Sequence, residues 1–182
     1  MTPSDLSSAD LAGRLRRAIR DVADFPKPGI LFKDITPVLA DAALFREACA
    51  SMAASFADSA ISHVVAIESR GFILGGPVAQ MLGAGFVPMR KRGKLPYLTE
   101  RVEYALEYGT DVLEIHVDGC APPGRVLVVD DVLATGGTAA AACALVEKVG
   151  ATVAGCSFLL ELAFLNGAAA IPGRRHSSVV VF

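Results

Sequence analysis

Three short, continuous runs of apolar residues predict buried β-strands: residues 64–67, 86–89 and 126–129. Each run ends in polar, charged or glycine residues, and helical patterns separate the runs. Strands that are apolar at successive positions are typical of a parallel sheet whose two faces are both covered by helices. We therefore expect an α/β protein with a mostly parallel central sheet flanked by helices, and functional groups at the carboxyl ends of its strands.

The helices are predicted from the spacing of apolar residues. Between Leu11 and Val22 the apolar residues recur at helical spacing, which predicts an amphipathic first helix with Ser7 as its N-cap. Further helices are predicted at about residues 42–57 and 139–149.

Two segments interrupt this alternation of strands and helices. Two prolines within residues 26–29 exclude a helix there, and residues 30–35 are expected to form a short extended segment or loop. Residues 103–117 partly alternate between apolar and polar positions around a turn signal at residues 108–111. This pattern predicts an antiparallel hairpin.

Length and composition indicate a globular protein. The chain has 182 residues, of which 53% are hydrophobic and 20% are charged. A chain of this length typically folds as one domain and buries enough apolar surface to need no disulfide or structural metal. No repeat or linker interrupts it, so residues 1–182 are expected to form a single domain. Intrinsic disorder is excluded.

The charge balance argues against nucleic acid or membrane partners. The formal net charge is −2, so any anion site must be built locally, for example by the basic cluster at residues 90–94. The apolar stretch at residues 149–172 carries Glu161 near its middle, which argues against a membrane span. The four cysteines form no C-x-x-C pair and have no histidines at zinc spacing. We expect reduced thiols in a cytoplasmic protein.

The segment from Asp130 to Thr138 carries the clearest chemical signal. Two carboxylates, Asp130 and Asp131, follow a predicted strand, and small and hydroxyl residues then lead into a helix. Backbone N–H groups at a helix N-terminus bind phosphate, whereas paired carboxylates repel it and suit sugar hydroxyls or hydrated Mg²⁺. The segment therefore predicts a sugar-phosphate site. The alternative is an ordinary strand–helix turn with two surface aspartates. Walker and dinucleotide motifs are absent.

Residues 128–138 resemble the phosphoribosyl pyrophosphate motif of the type I phosphoribosyltransferases. Four further segments resemble the adenine-specific members of that family in order and spacing: residues 24–35, 68–72, 90–96 and 106–109. The similarity covers roughly residues 22–162. It implies the family's fold, with an N-terminal helix and small hood at about residues 8–40, a core at about residues 41–182, and a flexible catalytic hairpin loop.

The resemblance also implies an activity. The 5-phosphoribosyl group of phosphoribosyl pyrophosphate would be transferred to adenine, giving AMP and diphosphate, in a Mg²⁺-dependent homodimer. Cleavage of the bond between C1′ and oxygen develops positive charge on the ribose and negative charge on diphosphate. Catalysis therefore needs charge neutralisation, positioning and exclusion of water.

The resemblance implies a ribose site and two phosphate sites. Asp130 and Asp131 would hold the ribose hydroxyls. The 5′-phosphate would be bound by Ala134, Thr135, Gly136, Gly137 and Thr138. Diphosphate would be bound by Glu68, Ser69, Arg70, Arg90, Lys91 and Lys94, partly across a dimer interface. The alternatives are a surface arginine in an ordinary turn at Arg70, and a solvated basic loop or nuclear-import tract at residues 90–94.

Residues 96–108 resemble the family's mobile catalytic loop, which closes over the substrates. Its acid would be Glu107, with Tyr108 beside it, and Arg70 would join them as a catalytic group. From the sequence alone, Glu107 is also explained as a simple hairpin carboxylate.

The adenine pocket is implied by the resemblance alone. Leu31, Phe32 and Lys33 match the family's hood, where an aromatic ring packs on the purine, and Leu159 matches the opposite wall. Taken by itself, Phe32 is more simply explained as a core aromatic residue. The match over residues 28–35 favours the pocket.

Two other functions remain compatible with the sequence. One is a related phosphoribosyltransferase that uses xanthine, hypoxanthine or guanine, against which the hood segment argues. The other is a non-catalytic regulator that binds phosphoribosyl pyrophosphate or a nucleotide, against which the presence of Glu107, Arg70 and the basic cluster argues. Residues 1–8 and the alanine-rich residues 167–171 depart from the family's pattern, and neither segment is expected to touch the site.

Overall fold

The computed structural model describes residues 3–105, 110–120 and 122–182. The chain divides into two compact units, Met1–Ser51 and Met52–Phe182. The expectation of a single domain over residues 1–182 stays a prediction, as do the bounds of its hood and core.

The first unit contains two helices, a two-stranded sheet and the start of a third helix: α1 (Pro3–Ala18), β1 (Arg20–Ala23), β2 (Leu31–Asp34), α2 (Thr36–Ala40) and α3 (Ala42–Ala54). Ser7 lies inside helix α1, so the N-cap predicted there is wrong. It ends at Ala18, because Arg20–Ala23 pairs antiparallel with β2 and Val22 faces Phe32 in the register. The extended segment expected at residues 30–35 is confirmed by β2.

The second unit carries the remaining strands and two helices: β3 (His63–Ile67), α4 (Arg70–Leu82), β4 (Gly85–Lys91), β5 (Thr99–Ala105), β6 (Thr110–His116), β7 (Arg125–Leu133), α5 (Gly137–Lys148), β8 (Thr152–Glu161) and β9 (His176–Val181). Two 3₁₀ turns, Ala163–Leu165 and Gly167–Ala170, connect β8 to β9.

One sheet runs through the second unit in the order β5-β6-β4-β3-β7-β8-β9. Strand β3 pairs parallel with β4 and β7, and β8 continues the parallel pairing between β7 and β9. Strands β5 and β6 form an antiparallel hairpin, and β6 pairs antiparallel with β4. The predictions of a mostly parallel sheet and of the hairpin are confirmed.

The two helices cover opposite faces of this sheet. Side chains alternate between the faces of a strand. On one face, a Cβ on Gly75 of α4 would lie 2.4 Å from the Cβ of Ala66, so α4 packs tightly on β3. On the other face, Val65 and Ile67 share a buried cluster with small residues of α5 such as Ala142. Burial on both sides explains why β3 is apolar at successive positions.

Strand β7 is longer than the sequence indicated. It was expected to end at Val129, but its parallel pairing with β8 continues to Leu133 opposite Glu161. Asp130 and Asp131 therefore lie within the strand, where pairing fixes their backbone. Residues 149–172 contribute β8 and the 3₁₀ turns. Among the described residues, no helix is long and apolar enough to cross a membrane.

Candidate functional site

The candidate site lies where the sheet changes its winding direction. From β3 the chain enters α4 on one face, and from β7 it enters α5 on the other, although the two strands are neighbours. Such a switch point opens a crevice at the carboxyl ends of the strands. A cavity of about 590 Å³ occupies this position, and this volume is typical of small-molecule sites.

Most of the predicted phosphate-binding residues line this cavity. They come from the ends of β3, β4 and β7 and from the start of α5: Glu68, Ser69, Arg70, Arg90, Lys91, Lys94, Asp130, Asp131, Ala134, Thr135, Gly136 and Thr138. Gly137 is the first residue of α5 and lies between two of them. The structure thus brings the predicted groups together, while their roles stay predictions.

Arg70 and Asp131 connect the start of α4 with β7. Arg70 Nε donates a hydrogen bond of 2.5 Å to Asp131 Oδ2, and the Asp131 side chain is 7% exposed. Helix α4 approaches β7 closely because residue 71 is glycine. A Cβ at Gly71 would lie 2.9 Å from Asp130 Oδ1 and 3.1 Å from the carbonyl oxygen of Val129.

The carboxyl group of Asp130 is held close to a second carboxylate. Burial and the charge of Asp131 raise the pKa of Asp130 well above its usual range. The backbone N–H of Asp131 donates a 2.9 Å hydrogen bond to Asp130 Oδ1, which orients the group. A carboxyl group with a raised pKa can hold a sugar hydroxyl either as donor or as acceptor.

Glu68 orients the basic end of β4. Its Oε2 accepts a 2.7 Å hydrogen bond from Arg90 Nε, and its Oε1 accepts a 3.1 Å hydrogen bond from the backbone N–H of Lys91. Arg90 also donates to the carbonyl oxygen of Lys94 at 3.1 Å. Because a carboxylate repels phosphate, we interpret Glu68 as a residue that positions cations rather than as a direct phosphate ligand.

Two polar residues of the hairpin line the cavity although they were not predicted: Tyr104 and Asp111. Asp111 pairs with Lys91 Nζ at 3.0 Å, and this hydrogen bond raises the pKa of Lys91. The Tyr104 hydroxyl is hydrogen-bonded to the Thr138 side chain, while burial raises the pKa of Tyr104. The alternation of β5 predicts that Val102 and Tyr104 share one face, but it does not show that Tyr104 reaches the cavity.

The predicted adenine-binding residues belong to different units. In the first unit, Leu31 is half-exposed, the ring of Phe32 packs edge-on against Phe25 at a centroid distance of 5.1 Å, and Lys33 pairs with an aspartate. In the second unit, Leu159 is fully buried in β8. Their common role in an adenine pocket stays a prediction.

The predicted catalytic residues Glu107 and Tyr108 lie outside the described residues. The paired residues Ala105 and Thr110, at the ends of β5 and β6, flank them in the sequence.

A mostly parallel sheet with a switch-point cavity, lined by two carboxylates, the start of a helix and the basic residues Arg70, Arg90, Lys91 and Lys94, is the arrangement expected of a phosphoribosyltransferase. Residues 38–170 match the family model described as the phosphoribosyl transferase domain.

The similar proteins narrow this class. The adenine phosphoribosyltransferase of Acidothermus cellulolyticus is 54% identical over 172 residues, covering 94% of this chain and 97% of that protein. The chain therefore belongs to the adenine phosphoribosyltransferases, which are pentosyltransferases.

Solved structures support the same assignment. The adenine phosphoribosyltransferase of Rhodothermus marinus is 52% identical, with a TM-score of 0.91 over 96% of this chain and 99% of that one. The enzyme of Saccharomyces cerevisiae is 38% identical, with a TM-score of 0.87 over 94% and 99% of the two chains. That structure is a complex with an imino-altritol bisphosphate and adenine.

Proposed function

We propose that the cavity at the ends of β3, β4 and β7 binds phosphoribosyl pyrophosphate and transfers its 5-phosphoribosyl group to adenine, giving AMP and diphosphate. The proposal rests on the presence of both acidic and basic side chains in the cavity. Asp130 and Asp131 face it from β7, and Arg70, Arg90 and Lys91 face it from α4 and β4. A ligand with a hydroxylated sugar between two phosphate groups matches this arrangement.

The 5′-phosphate would bind at the start of α5. The N-terminus of a helix presents backbone N–H groups and the positive end of the helix dipole. Thr135 and Thr138 also line the cavity and would add hydroxyl donors. Asp130 and Asp131 would accept hydrogen bonds from the ribose hydroxyls, which fixes the sugar relative to the phosphate.

The diphosphate leaving group would bind to the basic residues Arg70, Arg90 and Lys91. Negative charge develops on the diphosphate oxygen that leaves C1′ as their bond breaks, and cations oriented in advance stabilise that charge most effectively. Arg70 offers a planar guanidinium to phosphate oxygens, and Glu68 holds Arg90 in place. Glu107 would meet the adenine nitrogens or the charged ribose when the hairpin loop excludes water.

The residues present also fit Mg²⁺ bound together with the substrate. Among the described residues, no group of three or more acidic, histidine or cysteine side chains could hold a metal ion. Mg²⁺ commonly binds one or two carboxylates together with substrate phosphates and water, and Asp130 and Asp131 provide such carboxylates. When bound, Mg²⁺ would neutralise diphosphate charge.

An apolar surface supports a homodimer. The side chains of Ile73, Met81 and Phe86 are each more than 40% exposed, and they come from α4 and the start of β4. We propose that these residues form one apolar patch, a feature typical of an interaction site on a globular protein. We assign it to a second copy of the chain. A cytoplasmic location agrees with the four cysteines, which are all free thiols.

A base screen tests the proposed reaction. The protein is incubated with phosphoribosyl pyrophosphate, MgCl₂ and one of adenine, hypoxanthine, guanine or xanthine, and nucleotide formation is followed. We expect AMP to form much faster than any other nucleotide, and no product after chelation by EDTA. Equal or faster conversion of another base would contradict adenine specificity. Binding of phosphoribosyl pyrophosphate without any turnover would instead favour a regulator.

A further inference from the structure

The 3₁₀ turn Gly167–Ala170 lies directly against the turn that precedes α5. A Cβ built on Gly136 would lie 2.2 Å from the carbonyl oxygen of Gly167, and a Cβ on Gly167 would lie 2.2 Å from the carbonyl oxygen of Ala134. The expectation that residues 167–171 do not touch the site is therefore wrong. The two turns touch through their backbones with no room for a side chain.

This contact leaves little freedom for adjustment. Native Cβ atoms essentially never approach other heavy atoms within 3.0 Å, and here the opposing atoms belong to the backbone. A flexible side chain could move away, but a backbone turn can move only together with its neighbours. Gly136 also has a φ of 81°, in the left-handed region that favours glycine.

The 3₁₀ turn is itself held at both ends. Before it, the backbone N–H of Leu162 donates to the carbonyl oxygen of Leu133 at 2.9 Å, which ties the segment to the end of β7. After it, Ile171 is buried and joins the same apolar cluster as α5. The 3₁₀ turn is therefore fixed in position and limits the movement of residues 134–136, which it contacts.

We propose that Gly167 is a positioning residue for the 5′-phosphate, acting through the backbone of residues 134–136. The proposal rests on the proposed function, because it assumes that this turn binds the phosphate. Backbone donors stabilise an anion well only when their directions are fixed before it binds. A methyl group on Gly167 would displace Ala134 and Gly136 and turn their N–H groups away from the phosphate.

The test compares Gly167→Ala with the unchanged protein and with Gly13→Ala. A Cβ on Gly13 would make an ordinary contact of 3.6 Å with the end of a flexible arginine, so that variant controls for a glycine-to-alanine change. For Gly167→Ala we expect at least a tenfold rise in the KM for phosphoribosyl pyrophosphate and in the Kd of ribose 5-phosphate. The KM for adenine and the Kd of inorganic diphosphate should change less than twofold, and Gly13→Ala should behave as the unchanged protein.

The outcomes separate this proposal from the proposed function. If the unchanged protein binds no ribose 5-phosphate, the proposed function fails. If the unchanged protein binds it and Gly167→Ala binds it equally well, the positioning role is overturned. An equal loss of affinity for ribose 5-phosphate and diphosphate also overturns that role, because it indicates general loss of packing.

A second variant decides the question if Gly167→Ala does not fold. The Cβ of Ala170 lies 2.7 Å from the position that a Cβ on Gly136 would take, so Ala170→Gly loosens the support without any clash. A several-fold higher Kd for ribose 5-phosphate, with diphosphate binding unchanged, would support the role of the turn. Unchanged binding of both ligands would overturn it.

Discussion

Arg70 Nε lies 2.5 Å from Asp131 Oδ2, and this ion pair joins the segment proposed to bind diphosphate with the strand proposed to hold the ribose. Asp131 is nearly buried, whereas the Arg70 side chain is 41% exposed and reaches the cavity. A buried carboxylate is costly without a partner. Arg70 therefore supports Asp131 and at the same time presents a cation to the cavity.

Arg70→Ala should reduce both activity and stability. Loss of a charge-assisted hydrogen bond of about 1.5–3 kcal/mol lowers kcat/KM by roughly 10- to 150-fold. The free energy of unfolding should fall by about 1 kcal/mol, since the half-exposed arginine limits the strength of the pair. Steady-state kinetics and urea unfolding measure the two effects.

Arg70→Lys is the matched control for this prediction. It retains the positive charge but not the planar guanidinium that can contact two phosphate oxygens. We expect it to recover most of the lost stability and only part of the activity. If Arg70→Ala were as active as the unchanged protein, Arg70 would have no role in binding diphosphate.

Asp130→Asn should stabilise the protein at neutral pH. Burial and the neighbouring Asp131 carboxylate raise the pKa of Asp130 well above the value of about 3.9 that aspartate has in an unfolded chain. The folded state thus binds this proton more tightly, and stability falls as the pH rises above about 4. Asparagine does not ionise, so the gain should be present at pH 7 and vanish below about pH 4.

Urea unfolding at a series of pH values measures this difference, with Asp58→Asn as a control of opposite sign. Hydrogen bonds from Ser59 and Arg175 lower the pKa of Asp58, so its stabilising effect is present at neutral pH and lost in acid. Asp58→Asn should therefore be less stable at pH 7. A pH-independent gain for Asp130→Asn would contradict the raised pKa.

The central sheet could be predicted from the sequence because burial on both faces leaves a local signal. Residues 64–67 and 126–129 are apolar at every position, and both runs lie in parallel strands. The end of α1 could not be predicted in this way. Val22 continues the helical spacing of the preceding residues, but its pairing with Phe32 places it in a strand. Such a tertiary contact overrides local periodicity.

The charged residues around the cavity could be predicted for a related reason. Asp130, Arg70 and Arg90 lie at or just beyond the carboxyl ends of predicted strands, and parallel strands bring those ends together. Tyr104 and Gly167 could not be identified. Tyr104 reaches the cavity through the register of the hairpin, and the contacts of Gly167 depend on the path of the chain after β8. Neither feature leaves a pattern within its own segment.

Glu107→Ala should lower kcat much more than it weakens AMP binding. We predict that Glu107 acts when the hairpin loop closes over the substrates, so its removal should affect the transition state more than the ground state. A 100-fold or larger fall in kcat is expected, with the Kd of AMP changed less than threefold. Glu103→Ala is the control, because Glu103 is an exposed carboxylate of the same hairpin that does not line the main cavity. Unchanged turnover in Glu107→Ala would show that another group acts as the acid.

Ile73→Glu should dissociate the proposed homodimer without unfolding the chain. Ile73 is 44% exposed on α4, so a carboxylate there is tolerated in water but costly inside the proposed apolar interface. Sedimentation velocity should show a dimer for the unchanged protein and a monomer for the variant at micromolar concentration. Phe164→Glu, which changes an even more exposed apolar residue on the 3₁₀ turn Ala163–Leu165, should remain dimeric.

If the basic segment binds diphosphate across the interface, the Ile73→Glu monomer should also have a raised KM for phosphoribosyl pyrophosphate. A variant that stays dimeric would locate the interface elsewhere.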